Sequence, residues 1–295
     1  MTEHRHRAFS IQRVFAITAN TLTDLTRQKV FHLLLIFALI LIGSSVFLAR
    51  FTFQQEFQIL KDVSLGAMSI FTSLLAILAT ARLIPQDIED RTIYTILAKP
   101  VPRFEYVLGK LIGILLLLAL STVVMSALFL TVLYSREQTV LHETIRQMAQ
   151  APRDQIDDAL RTVRGSALNT NLFPGIVIIY LKACLLGALT LLVSTFATTN
   201  IFTVVVMVFV YFIGQFEAIA REYWLEQCSS GWLTHGFLAV VALVFPDLQA
   251  FNLVDDVVAG AAIGAGMFLK TALLALFYTT IYALLAIFAF CGKEL

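Results

Sequence analysis

Six long runs of apolar residues divide the chain, and each is long enough to cross a lipid bilayer as a helix. They cover residues 30–49, 63–84, 111–134, 174–193, 201–218 and 271–291. A run of about twenty residues at ~1.5 Å per residue gives a helix of ~30 Å, the thickness of the hydrocarbon layer. The pattern predicts an all-α polytopic membrane protein, with six transmembrane helices in a single domain over residues 1–295.

Two shorter apolar stretches, residues 236–245 and 257–269, lie between the fifth and sixth runs. Neither is long enough to cross a bilayer, and their lengths are typical of re-entrant or interfacial helices. Joining the second stretch to the last span would place Lys270 in the middle of an overlong helix, so we predict a break near Lys270. Short re-entrant helices are therefore predicted within residues 236–269.

Residues 1–29 are predicted to contain an amphipathic helix. One stripe of that helix carries Ile11, Val14, Phe15, Thr18, Leu22 and Leu25, whereas Arg13, Asp24 and Arg27 lie off it. The pattern is typical of a helix that lies flat on the inner membrane surface. A soluble amphipathic helix packed on a partner is the alternative.

A polar insert separates the third and fourth spans. Residues 135–171 carry balanced charges and apolar positions near helical spacing, which predicts a small solvated helical insert outside the membrane. Because long loops translocate largely regardless of charge, orientation is read from the Lys and Arg residues of the shorter segments. Their distribution favours an orientation with both termini in the cytoplasm.

The composition agrees with a membrane protein and excludes several other classes. Hydrophobic residues make up 59% of the chain and charged residues 14%, against about 25% charged in soluble domains. The formal net charge of +1 gives no field for nucleic acid. Cys184, Cys228 and Cys291 are far apart, and the histidines have no ligand spacing inside the membrane, so neither a disulfide framework nor a metal site is predicted.

A short polar segment joins the second and third spans, and its composition predicts a capped helix over residues 85–99. Pro85 suits a first helical turn, Lys99 suits the negative end of the helix, and Pro100 ends it. The apolar side carries Ile88, Thr92, Ile96 and Leu97, and Glu89, Asp90 and Arg91 fall near another side. Such a surface can dock in a groove of a partner. The alternative is a helix that only covers the inner ends of spans two and three.

This segment resembles permease subunits of the ABC-2 type. Those permeases carry acid-x-acid-x-Gly-Thr after the second span, followed by two aliphatic residues, a Pro, an Arg and a Gly-Lys that opens the third span. The matching positions here are Asp87, Glu89, Arg91-Thr92, Ile96-Leu97, Pro100, Arg103 and Gly109-Lys110. Two departures stand, since Asp87 replaces the usual Glu and Arg91 the usual Gly. The six-span plan is similar over the whole length.

The resemblance implies that residues 85–99 are a coupling helix, which fits a cleft on a separate ATP-hydrolysing subunit. The residues it assigns to this role are Asp87, Ile88, Glu89, Arg91, Thr92, Ile96, Leu97, Pro100 and Arg103. It also implies a bacterial plasma membrane, export of an unknown substrate, and a second permease copy in a homodimer or heterodimer. ATP and Mg²⁺ would belong to the partner, because Gly109-Lys110 is followed by Leu-Ile and the chain has no phosphate-binding loop.

Lys182 is the charged residue that the predicted spans place deepest in the membrane. It lies ~12 Å into the fourth span at ~1.5 Å per residue, where an unpaired ammonium is costly. Glu217, near the outer end of the fifth span, is a candidate partner. We predict that Lys182 pairs with Glu217 or snorkels to the interface, and a role in the translocation path is the alternative.

Two other functions compete with a transporter. An intramembrane enzyme would need paired catalytic groups at membrane depth, such as HExxH or two facing Asp residues, and the sequence has no such pair. No catalytic residue is therefore predicted. A membrane assembly or cofactor-maturation factor without transport is the other alternative, which a resemblance to permeases associated with multicopper-enzyme maturation suggests.

Two glycine pairs, Gly109-x-x-x-Gly113 and Gly260-x-x-x-Gly264, could each permit close contact between helices.

Overall fold

The computed structural model describes residues 10–50, 56–89, 102–149, 152–167, 171–197, 199–227, 248–251 and 264–292, without the side chains of 48–50 and 217–227. Over these residues the regular structure is helical, as predicted. The helices are α1 (Ile11–Arg27), α2 (Lys29–Arg50), α3 (Glu56–Ala81), α4 (Leu83–Glu89), α5 (Arg103–Gln147), α6 (Arg153–Ala167), α7 (Leu172–Phe196), α8 (Asn200–Gln227) and α9 (Ala265–Cys291), with a 3₁₀ turn at Gln249–Phe251.

Five helices in the described part of the chain are long and apolar enough to cross a membrane, namely α2, α3, α5, α7 and α9. These confirm a polytopic membrane protein. Helix α8 corresponds to the predicted fifth span and has 28 residues. The part of it whose side chains are described, Asn200–Phe216, is apolar but shorter than the five spans. A sixth span therefore stays a prediction.

The last span begins earlier than the apolar pattern indicated. Helix α9 starts at Ala265 after Gly264 and continues through Lys270 without interruption, so the predicted break near Lys270 is wrong. Lys270 is exposed in the second turn of α9, where a long side chain can reach the polar interface while its stem lies along apolar surface. The other predicted re-entrant residues, 236–247 and 252–263, lie outside the described residues.

Helix α5 is longer at both ends than its predicted span of residues 111–134. It has 45 residues, and residues 135–147 of the predicted insert continue it as one helix. The physical reason is that this part of the sequence contains neither Gly nor Pro, so nothing stops the helix where its apolar stretch ends. The remainder of the insert holds α6, in which Ala167 is the buried residue.

Helix α7 occupies the centre of the bundle and packs against α9, α3 and α5. It is apolar on all sides, as expected of a helix surrounded by protein. Ala183, Leu185 and Leu186 are fully buried in it. The position of Lys182 in this helix therefore places a charge inside the bundle.

Helix α1 packs along the N-terminal end of α5, and its apolar stripe divides between two directions. Val14, Thr18 and Leu25 are buried. Ile11 and Phe15, on the neighbouring edge, are 73% and 72% exposed. The helix thus packs on its own chain with one edge, and contact of the outer edge with a membrane surface stays a prediction.

Candidate functional site

The predicted coupling segment is fixed to α5 through Asp87. Asp87 lies in α4, and its Oδ2 is 2.7 Å from the Lys110 Nζ; the Tyr106 hydroxyl also donates to it. Tyr106 and Lys110 are one helical turn apart on the same face of α5. The two side chains of the ion pair are only 7% and 19% exposed, for Lys110 and Asp87 respectively. Because so little water reaches this pair, it joins α4 firmly to α5.

The same end of α5 holds the C-terminal end of α9. The Tyr106 ring stacks on the buried Phe290 with their centroids 5.5 Å apart and an angle of 25° between the planes. Arg103 Nη1 donates to the Cys291 carbonyl oxygen at 3.1 Å. A guanidinium at a helix C-terminus satisfies a free carbonyl and complements the negative end of the helix dipole. The last turn of α9 is therefore tied to the first turn of α5.

A third contact joins α1 to α5 through Glu105. The carboxylate of Glu105 is fully buried. Arg13 Nη2 donates to its Oε1 at 3.0 Å, and Arg13 Nε lies 2.8 Å from its Oε2 as an ion-pair contact. The Ser10 backbone N–H donates to the same carboxylate at 3.0 Å. A hydrogen bond between a guanidinium and a carboxylate is charge-assisted and stronger than a neutral one, so this pair holds α1 against α5.

Two glycines of α5 let α1 approach closely. A Cβ atom at Gly109 would lie 2.8 Å from the Cβ of Ile17, and one at Gly113 would lie 2.8 Å from the Cβ of Thr21. Thr18 Oγ1 donates to the Gly109 carbonyl oxygen at 3.1 Å. The Gly109-x-x-x-Gly113 pair therefore permits close helix contact as the sequence indicated, and Gly260 lies outside the described residues.

These contacts converge on the first two turns of α5. We name the α5 cluster by its members: Arg13, Asp87, Arg103, Glu105, Tyr106, Lys110 and Phe290. Arg13 pairs with Glu105 and Lys110 with Asp87, while Arg103 donates to a backbone carbonyl, and the cluster joins α1, α4 and α9 to one helix. Its chemistry is suited to holding helices together, because it consists of ion pairs, hydrogen bonds and stacked rings.

The structure places the predicted coupling residues in two groups. Asp87 and Arg103 belong to the α5 cluster, while Ile88 packs partly against the protein's own core and Glu89 is exposed at the end of α4. The helix begins at Leu83, slightly before the predicted residue 85, with Pro85 in its first turn. The remaining predicted residues, Arg91, Thr92, Ile96, Leu97 and Pro100, lie outside the described residues.

Sequence reasoning missed Arg13, Glu105, Tyr106 and Phe290 as members of the cluster. The third span was predicted to begin at residue 111, which left 103–110 without an assigned helix. Extending the helix back to Pro102, a favourable start, puts Tyr106 and Lys110 on one face. This extension was the sequence signal that could have assigned Tyr106 to the cluster. Arg13 and Phe290 come from distant segments, and no sequence signal connected them with it.

Lys182 is held inside the bundle by neutral groups. It is 2% exposed, and its Nζ lies 3.5 Å from the Ser69 Oγ and 5.8 Å from the centre of the Tyr211 ring. The ammonium of Lys182 is therefore buried inside the bundle. The side chain of Glu217 lies outside the described residues, so the Lys182–Glu217 pair stays a prediction. The side chains that are described bring no set of three or more His, Cys, Asp or Glu together as metal ligands.

The fold and the α5 cluster together define a multi-pass membrane protein whose helices are tied together at one end. The family described as ABC-2 family transporter protein matches residues 15–295, nearly the whole chain. The chain belongs to this family and is the membrane component of an ABC-2 transporter. Membrane components of this family lack an ATPase domain and work with separate ATPase subunits. A search of curated proteins finds no match.

Proposed function

We propose that the chain is the permease of a bacterial plasma-membrane exporter, and that residues 85–99 form the helix through which the ATPase moves the spans. The observation that supports this most directly is the contact of Asp87 with Lys110 and Tyr106. A displacement of α4 would carry the first turns of α5 with it. The α5 cluster would pass the same displacement to α1 and α9.

The orientation follows from this assignment. The end of the bundle with α4 and the α5 cluster faces the cytoplasm, where the ATPase subunit lies, and both termini are on that side. The Lys and Arg distribution of the shorter segments supports the same orientation. The exposed edge of α1, with Ile11 and Phe15, then lies at the level of the inner membrane surface.

The contact with the ATPase is tested by placing a charge on the apolar side of the coupling helix. The Ile96→Asp variant should bind the ATPase about 30-fold more weakly, because losing an apolar anchor from a packed groove commonly costs ~2 kcal/mol. Association is measured by pull-down of the ATPase and by its stimulated ATP turnover.

Glu89→Gln should change the salt dependence of association more than its strength, because a charge at the rim acts mainly on the rate of encounter.

The matched control is Ile145→Asp, which makes the same change at a residue that is 46% exposed near the far end of α5. This variant should bind and stimulate the ATPase like the unaltered chain. If Ile96→Asp behaves in the same way, the segment only covers the inner ends of the spans. The coupling proposal would then lose its support.

The working unit is proposed to contain two permease copies and two ATPase subunits. A chain with six predicted spans and no internal duplication provides half of a symmetric translocation path. Native mass spectrometry in mild detergent should show a permease dimer, or a heterodimer with a second permease. A strictly monomeric permease that supports transport with its ATPase would contradict this prediction.

The substrate response of ATP turnover distinguishes an exporter from a membrane assembly or maturation factor without transport. Both would bind an ATPase, but only an exporter should show ATP turnover that responds to a transported substrate. The comparison is made in reconstituted vesicles with the ATPase bound.

A further inference from the structure

The ammonium of Lys182 has no anionic partner among the side chains that the structure describes. No described carboxylate lies within 4.0 Å of its Nζ. Its contacts are a long hydrogen bond to Ser69 in α3 and the ring face of Tyr211 in α8. Both are weak partners for a full positive charge at low dielectric, so an anion that reached this position would be held more strongly.

A cavity of about 350 Å³ lies between α3 and α8, and its wall includes Tyr211, the ring that Lys182 contacts. Its walls are almost entirely apolar, and they are formed by Ile70, Ser73, Leu74, Ile77, Val208, Tyr211 and Phe212. Ile70 and Phe212 are 51% and 53% exposed on the outside of the bundle. That outer surface is apolar, so a face in contact with lipid would let an acyl chain enter the cavity sideways from the bilayer.

Tyr211 connects the cavity with the lysine. Its ring forms part of the cavity wall and also lies under the Lys182 ammonium. Ser73, the polar residue of the α3 wall, donates to the Ser69 carbonyl oxygen at 2.7 Å, and the hydroxyl of Ser69 is the hydrogen-bond partner of Lys182. The positive charge is therefore one side chain behind an apolar wall.

We propose that Lys182 and this cavity bind an anionic amphiphile, with its acyl chain in the cavity and its carboxylate or phosphate group on the ammonium. The acyl chain matches the apolar walls, and the anion replaces the Tyr211 ring as the partner of Lys182. The assignment of this ligand as cargo rests on the proposed export function. Binding itself needs only the permease.

The test measures equilibrium binding to the permease alone, in nanodiscs of phosphatidylcholine. The probes are dodecanoate, dodecyl phosphate and the neutral dodecanol, which share one chain and differ in the head group. We expect one or both anions to bind at least about tenfold more tightly than dodecanol. The comparison of the two anions separates a fatty-acid carboxylate from a phospholipid-type phosphate.

Variants assign the head group and the chain to their positions. Lys182→Met should abolish the preference for the anion and leave dodecanol binding unchanged, while Lys182→Arg should keep it. Val208→Trp should weaken the binding of all three probes about tenfold, because it fills the cavity. This variant tests the position of the chain even if Lys182→Met does not fold, and unchanged binding would overturn the proposal. The control is Lys61→Met, since that lysine is equally buried but donates to the Ser166 carbonyl oxygen instead.

Two further results would overturn the proposal. One is equal binding of anions and dodecanol to the unaltered permease. If Glu217→Gln then created an anion preference, Glu217 would be the partner of Lys182. The other is an anion preference that survives Lys182→Met. The Ile96→Asp variant should bind the probes normally, so a failure of the coupling proposal and a failure of this one are seen separately.

Discussion

The Asp87→Ala variant should be less stable than the unaltered permease by about 3 kcal/mol or more, because it leaves the Lys110 ammonium without its carboxylate. Lys110→Met should cost less. It leaves Asp87, which is the more exposed partner and keeps the Tyr106 hydroxyl as a donor. Thermal unfolding in detergent measures both effects.

The double variant Asp87→Ala/Lys110→Met shows whether the two residues interact. Its loss of unfolding free energy should be smaller than the sum of the losses in the two single variants. The reason is that it removes both charges and leaves neither buried alone. Strictly additive losses would mean that the pair contributes nothing. In the assembled transporter, Asp87→Ala should keep ATPase binding but lose substrate-stimulated turnover. The side chain of Asp87 is directed to α5, so the variant breaks this connection and leaves the other assigned coupling residues, from Ile88 onward, unchanged.

Gly109→Leu should displace α1 from α5. Even the first added atom would lie 2.8 Å from Ile17, and the rest of the leucine has no room beneath α1. Overpacking of this kind costs ~1–3 kcal/mol. The displacement would also break the hydrogen bond from Thr18 and pull Arg13 away from Glu105.

The release of α1 can be measured by thiol labelling at position 14. Val14 is 6% exposed, so a Val14→Cys reporter should react slowly in the unaltered background. With Gly109→Leu its labelling should be at least about tenfold faster, because opening is easier by ~1.4 kcal/mol or more. Gly43→Leu is the control, since no atom lies within 4 Å of a Cβ at Gly43. Equal labelling in the two backgrounds would show that the glycines are not needed for this contact.

The spans were largely predictable because the bilayer imposes a length and a polarity on each helix. The predicted span of residues 30–49 falls inside α2 (Lys29–Arg50). The ends of α5 were not predictable in the same way, since its polar flanks fit a helix as well as a loop. They are decided by Pro102 at the start and by the absence of helix breakers beyond Gly113.

The candidate site shows where sequence reasoning stops. Asp87 was singled out from a motif and from its place near a helix start, but its partner depends on the turn at Arg82 that sets the direction of α4. Lys182 was predicted to need a partner, and its burial follows from the apolar residues around it. The groups that meet it come from α3 and α8, and nothing in the local sequence specifies how those helices are arranged around α7.

The unbroken length of α5 has a mechanical consequence. At ~1.5 Å per residue its 45 residues form a rod of ~67 Å, more than twice the thickness of the hydrocarbon layer. A tilt of about 5° at the α5 cluster would move the other end of such a rod by ~6 Å. Helix α6, which follows that other end in the chain, packs against α5. The rod would thus act as a lever, so that a small displacement on one side of the membrane produces a larger displacement on the opposite side.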